Sequence, residues 1–409
     1  MNLTPDPTLD DSPTMSRTEL RASGSLASIF ALRMLGLFLV LPVFALEARK
    51  YPGGDDPALI GLAMGIYGLT QAMLQIPLGV ASDRLGRKRV IIFGLLIFAL
   101  GSLVAGSADT LMGVLAGRAL QGAGAVSAAV TALLADLTRD VVRTKAMALV
   151  GASIGLMFAL SMVAAPLIAA LIGLSGLFVL TAVLAVLGIA VVLWWVPSEP
   201  EILKDAGRGG LRQVMSNPAL LRLNIGVFVL HAVQLAMWVA IPAFLVQAGL
   251  GKDEHWQIYL PAVLGSFLLM GGVFRLERRG HLRAVFLSAI ALIALVQVAL
   301  LWVSSGAPSV TGLAWLLFAF FCGFNVLEAT QPSLVSRIAP ASSRGAAMGV
   351  YNTLQSLGFF AGGVMGGQLV KSYGTQGLFL TCAALMVLWL MVAWPMVAPK
   401  RPAPSAKTP

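Results

Sequence analysis

Gly79-Val80-Ala81-Ser82-Asp83-Arg84-Leu85-Gly86-Arg87-Lys88-Arg89 sets four cations and one acid between two long apolar segments. Hydrocarbon cannot solvate charges this dense, so the stretch lies at a membrane–water interface. The composition around it agrees. The chain has 409 residues, 58% hydrophobic and 11% charged, with a mean hydropathy of +0.87. Soluble domains carry about 25% charged residues, so the class is a polytopic membrane protein embedded in a lipid bilayer. The net charge of +10 comes from cations recurring in short clusters between apolar segments. That pattern orients membrane proteins, and no nucleic-acid partner is expected. Cys322 and Cys382 fall inside apolar segments, which speaks against a disulfide framework or a metal site.

A spanning helix needs about 20 apolar residues. Twelve stretches qualify: 24–46, 58–80, 89–107, 110–134, 145–171, 176–196, 221–247, 257–275, 284–304, 309–336, 344–370 and 375–397. The connections alternate in character. Arg84, Arg87, Lys88, Arg89, Arg139, Arg143, Lys145, Lys204, Arg208, Arg212, Arg222, Arg275, Arg278, Arg279, Arg283, Arg337 and Arg344 fall in one set, together with both tails. The other set holds only Arg49, Lys50, Lys252 and Lys371. This asymmetry predicts cytoplasmic termini in a bacterial-type inner membrane. Residues 1–22 are polar and lack a signal-peptide pattern, so they read as a disordered cytoplasmic tail. The polar interruption 197–220 reads as a cytoplasmic linker between six-helix bundles at 23–196 and 221–398, with a second tail at 399–409.

The halves repeat each other. Arg143-Thr144-Lys145-Ala146-Met147 matches Arg344-Gly345-Ala346-Ala347-Met348, and Pro42 matches Pro242. Arg275-Leu276-Glu277-Arg278-Arg279-Gly280 is a degenerate counterpart of the charged loop. Duplicated six-helix halves are the plan of transporters with a midplane site and alternating access.

The charged loop, read as Gly-x-x-x-Asp-Arg-x-Gly-Arg-Lys/Arg, resembles the signature loop of the major facilitator superfamily. Arg118-Ala119-Leu120-Gln121-Gly122-Ala123-Gly124 resembles its fourth-span motif. Leu35-Gly36-Leu37-Phe38-Leu39-Val40-Leu41-Pro42 is similar to the first-span motif of the twelve-helix drug:proton antiporters. Leu32-Arg33-Met34-Leu35-Gly36 and Gly65-Ile66-Tyr67-Gly68-Leu69-Thr70-Gln71-Ala72 resemble the YajR-type branch. In the fifth span the antiporter motif is replaced by Ala165-Pro166-Leu167-Ile168-Ala169-Ala170, a departure that weakens the drug-antiport resemblance. A soluble domain known after the last span in that branch has no counterpart before Pro409, so its function is not expected here.

The resemblance implies an all-α fold of 12 transmembrane helices in two pseudo-symmetric bundles. It also implies a latch that holds the cytoplasmic side shut. Gly79 and Gly86 allow tight packing and a sharp turn. Asp83 would face the start of the eleventh span near Arg344, and Arg87 would pair with Asp136; Arg84 and Lys88 complete the loop. The alternative is a solvated cation cluster that only sets topology.

Ionisable groups inside the spans are expensive and usually functional. Glu328 is the lone deep carboxylate, about 14 Å from the inner end at 1.5 Å per residue. His231 and Arg33 lie at a similar depth, roughly 15 Å. These three read as one proton-coupling site, or as a permanently paired structural set. Arg118 reads either as an influence on proton movement or as a bundle anchor bonding Gln121. Gln71, Gln75, Gln121, Asn325, Asn352 and Gln355 are candidates for the substrate cavity, with Tyr67, Trp238 and Tyr351 as aromatic walls. No zinc-protease motif, nucleophile elbow or phosphate loop is present in the sequence, so enzymatic activity is not expected. The expected activity is proton-coupled efflux of a small, drug-like or amphipathic molecule by a monomer. It would be powered by a proton gradient without a cofactor. Metabolite or sugar transport on the same fold, or a non-transporting receptor, are the alternatives.

Overall fold

The structure is a computed structural model, and it describes residues 14–199, 211–340 and 343–397. It is helical along its described length. The helices are α1 (Arg17–Glu47), α2 (Pro57–Leu85), α3 (Arg87–Gly106), α4 (Leu111–Ala123), α5 (Ser127–Asp136), α6 (Asp140–Trp194), α7 (Leu211–Ser216), α8 (Pro218–Gln247), α9 (Trp256–Leu276), α10 (Leu282–Val303), α11 (Val310–Ile338) and α12 (Arg344–Ala393).

Among the described residues, ten helical stretches are long and apolar enough to cross a membrane, with α4 and α5 together making one of them. Two are double. α6 has 55 residues and α12 has 50, and at about 1.5 Å per residue each is more than twice a bilayer core. Each breaks at a glycine: Gly173 at φ 66°, ψ −173° and Gly374 at φ 64°, ψ −172°. Only glycine occupies that region without strain, so the two breaks mark hairpin turns. With each of these counted as two, the described residues are consistent with twelve crossings. The symmetry goes further: among the described residues every positive φ belongs to a glycine. The six form three matched pairs across the halves, Gly53 with Gly249, Gly86 with Gly280, and Gly173 with Gly374.

Caps set the helix starts. Ser16 and Glu19 form a reciprocal capping box, so α1 begins at Arg17, inside the stretch expected to be a tail. Asn217 caps α8 ahead of Pro218, so that helix begins inside the expected linker, which also holds the short α7. Residues 1–13, 200–210 and 398–409, which carry the remainder of the expected tails and linker, lie outside the described residues.

Lipid supplies no hydrophobic drive between helices, so close packing must hold the halves together. α12 is the hub. On one face, a Cβ at Gly358 or Gly362 would strike Phe228 O at 2.5 Å or Ala232 O at 2.2 Å, which ties α12 to α8. On another face, Gly363 and Gly367 meet Gly61 of α2, where a Cβ at Gly61 would lie 2.2 Å from Gly363 O. The α2–α12 contact continues to Gly68, whose Cβ would sit 2.3 Å from Ser356 O. One heptad further on the same face of α12, Gly349 has open space. Past Gly68 on α2, Met73, Ile76 and Val80 are exposed. The halves therefore touch from the face bearing Asp56 and Lys371 to the middle, and part towards the face bearing the charged loop.

Candidate functional site

The middle of the C-terminal half holds a compact polar cluster. His231, from α8, is 2% exposed and its Nδ1 lies 2.9 Å from Val227 O, so Nδ1 carries a proton and donates it there. His231 Nε2 lies 3.3 Å from Glu328 Oε2 on α11 and 2.8 Å from Gln355 Nε2 on α12. Gln355 Nε2 also donates to Glu328 Oε1 at 3.3 Å. Phe324 and Phe359 stand edge-on to the imidazole, at 5.9 and 4.8 Å between centroids. The Glu328 side chain is 36% exposed, although its Oε2, turned towards His231, is buried and has no hydrogen-bond partner among the described residues.

The N-terminal half has its own cluster, and Arg33 belongs to it. The Arg33 guanidinium donates to Tyr67 Oη at 2.6 Å, Gln71 Oε1 at 3.3 Å and Ser127 Oγ at 3.1 Å, and lies over the Phe98 ring. The expected single site of Glu328, His231 and Arg33 is thus split between the halves. Sequence depth put all three at one level, but the helix rotations that decide the partners are set by packing. Arg118 donates to Ala63 O, Met64 O and Gln121 Oε1 and lies over the Tyr67 ring, which makes it the anchor between α4 and α2.

The cavity candidates divide. Gln71, Asn352 and Gln355 are partly exposed. Tyr67 and Gln121 are committed to the arginines, with Gln121 also donating to Ser102 Oγ, and Asn325 donates to Ser266 Oγ at 2.8 Å. Trp238 is fully buried edge-on to Tyr259. Gln75 and Tyr351 are buried, and neither the Gln75 amide nor the Tyr351 hydroxyl has a hydrogen-bond partner among the described residues.

The charged loop binds its own half. Arg87 pairs with Asp83 one turn away, donates to Asp136 Oδ2 at 3.1 Å and reaches Ser82 Oγ at 2.7 Å. Arg344 donates to Ser336 O within the other half, and neighbouring Gly345 has open space. Asp83 therefore contributes to an intra-half pair here, and the expected contact with the start of α12 is not made, with open space at Gly345. Glu199, which sequence reasoning passed over, accepts from Arg87 N at 2.9 Å and Lys88 N at 2.7 Å. Its carboxylate caps the positive end of α3.

The opposite face is closed by two acid–lysine pairs that cross between the halves. Lys371 Nζ donates to Asp56 Oδ2 at 2.9 Å, and Lys252 Nζ to Glu47 Oε1 at 2.7 Å. Lys50 also pairs with Glu47 from the same half. The Lys371 hydrogen bond holds the Asp56 carboxyl below its usual range, and the Glu47 bond holds the Lys252 ammonium above its own. Burial pushes the neighbouring His255 down to about 4. Glu47, Lys252 and His255 line one small cavity with Pro42, Val43 and Pro166. The signal for these pairs was available: four cations on the sparsely charged face stand among acids at 47, 55 and 56.

Residues 26–363 and 267–409 match the model of the Major Facilitator Superfamily. The chain belongs to the major facilitator superfamily. As a member it is a membrane transporter of small molecules and not an enzyme. It is 43% identical over 381 residues to the inner membrane transport protein YajR of Escherichia coli K12, covering 92% of this chain and 83% of that one. It is 26% identical to the multidrug resistance protein MdtH of Aeromonas hydrophila, covering 82% and 84%. The crystal structure of the human organic anion transporter MFSD10 superposes with a TM-score of 0.68 at 18% identity, covering 92% of this chain and 100% of that one. This last likeness is one of fold.

Proposed function

We propose that this superfamily member is a proton-coupled exporter of small amphipathic molecules, acting as a monomer in an inner membrane with both termini in the cytoplasm. The observation that carries the reading is the His231–Glu328–Gln355 cluster. It is a carboxylate and an imidazole sharing one site at mid-depth, with the Glu328 side chain partly exposed. A proton and a cationic substrate group would compete for Glu328, and such competition gives antiport. On this topology the charged-loop face is cytoplasmic, and the structure is inward-open. The charged loop would then latch the halves on that face in the opposite state. The proton gradient supplies the energy, with no cofactor.

Drug-like cargo is suggested by the likeness to MdtH and YajR, and the alternating-access cycle by the duplicated halves. A ligand or proton shifts such a cycle only through its different affinity for the two states. The test is uptake of ethidium and tetracycline into everted membrane vesicles with an imposed inward-acid gradient. Wild type is expected to accumulate one of the probes, and Glu328→Gln to lose the response to the gradient. Gradient-driven uptake that is unchanged in Glu328→Gln would place the proton elsewhere. Topology is checked separately: a cysteine at Asp55 should react with an impermeant maleimide in intact cells, and labelling that required permeabilised membranes would reverse the orientation.

A further inference from the structure

Gln355 occupies a position that a cavity-lining role does not account for. Its amide nitrogen bridges the two titratable groups of the cluster, at 2.8 Å from His231 Nε2 and 3.3 Å from Glu328 Oε1. An amide nitrogen only donates. Because His231 Nδ1 already donates to Val227 O, the neutral ring offers a lone pair at Nε2, and Gln355 fills it. The observed arrangement is therefore matched to a neutral imidazole, with Glu328 Oε1 accepting from the same amide and Oε2 left without a partner 3.3 Å from Nε2. When a proton arrives at Nε2, two donors confront each other. The new N–H can turn to Glu328 Oε2, 3.3 Å away, and the Gln355 amide must flip or withdraw.

Gln355 also stands where such a displacement reaches the interface between the halves. It precedes Ser356, whose carbonyl lies 2.3 Å from where a Cβ at Gly68 of α2 would sit. The other face of α12 is seated on α8 at Phe228 and Ala232, on either side of His231. The ionisable groups around it are His231 from α8, Glu328 from α11 and Tyr351 one turn earlier on α12. α2 presents Gln71 at this level, with Arg33 and Tyr67 bonded beside it. α10 carries no ionisable residue except Arg283, at its start near the charged-loop face.

We propose that Gln355 is the positioning residue that reads the protonation of the His231–Glu328 pair and passes it to the α2–α12 contact. The proposal rests on the proton-coupling reading above. By donating to both groups Gln355 favours the proton-free pair, so its removal should let the pair take up a proton at higher pH.

The experiment is double electron–electron resonance on purified protein in nanodiscs, titrated from pH 4.5 to pH 9. Spin labels are placed at Leu85→Cys and Leu276→Cys, exposed positions at the charged-loop ends of α2 and α9, with Cys322 and Cys382 replaced by alanine. It requires no substrate. In the unmodified cluster the inter-half distance should titrate, and Glu328→Gln should abolish the titration. Gln355→Met, which keeps the shape and removes the donor, should raise the midpoint by about one to two pH units, the worth of a hydrogen bond to a charged group. Gln355→Met in the Glu328→Gln background should have no midpoint to move. A midpoint unchanged in Gln355→Met, while Glu328→Gln abolishes the titration, overturns the proposal and leaves proton coupling standing, even if melting temperature falls. A distance that does not titrate, or that titrates equally in Glu328→Gln, overturns the proton-coupling reading and the proposal with it.

Discussion

Removing Lys252 tests whether the ion pairs opposite the charged loop hold that face shut. Its partner Glu47 has a side chain only 5% exposed, while the Lys252 side chain is 48% exposed, so the pair is buried on the acid side and screened by water on the lysine side. Lys50 stays bonded to Glu47 within one half, so Lys252→Ala deletes only the contact that crosses the interface. A hydrogen bond between charged groups contributes about 1.5–3 kcal/mol when dry, and screening at the half-exposed lysine discounts this to about 1 kcal/mol, which would shift the ratio of closed to open forms on this face by roughly fivefold. A cysteine at Val43, which is 6% exposed and lines the cavity beside Glu47, reports opening through its rate of reaction with an impermeant maleimide. The rate should rise about fivefold in Lys252→Ala, and Glu47→Gln should act in the same direction. The charge reversal Glu47→Lys with Lys252→Glu should restore slow labelling. Unchanged rates in both single variants would show that glycine packing alone closes this face and that the ion pair contributes nothing.

Three further outcomes follow from the same geometry. Gly363→Val puts a side chain where even a Cβ would lie 2.4 Å from Gly61 O, so the variant should drive α2 and α12 apart and raise labelling of Val43→Cys; labelling no faster than in the parent would refute the packing argument. The Asp56 pKa is depressed by Lys371, so this pair's contribution is present above the usual carboxylate range near 4 and is lost as pH falls through the lower, paired value. Labelling at Val43Cys should therefore show no Asp56-dependent change between pH 5 and pH 8, checked against Asp56→Asn. Asp83→Asn should leave the inward-open form populated, slow closure of the charged-loop face and speed its reopening, seen as reduced probe uptake with normal membrane insertion; full uptake in both Asp83→Asn and Arg87→Ala would remove the latch.

Membrane residence, the twelve crossings, the duplicated halves and the superfamily were all legible in the sequence, because each depends on properties that run along the chain. Apolar length, charge between segments and repeated glycines and prolines require no knowledge of what lies opposite. The hairpin breaks at Gly173 and Gly374 fall in the narrow gaps between the expected spans for the same reason. Which groups share a site was a different matter. Arg33, His231 and Glu328 lie at one depth, yet a helix turns 100° per residue, so depth says nothing about direction. Packing turned Arg33 towards Tyr67 and Ser127, and His231 towards Glu328 and Gln355. The crossing pairs Glu47–Lys252 and Asp56–Lys371 join residues some 200 and 300 positions apart, and they exist only in a state where the halves meet on that face. The sequence by itself determined what the chain is built from and where its charges can reside. Only the tertiary structure decided which charges face each other, because that depends on helix rotation and on how the two halves are tilted.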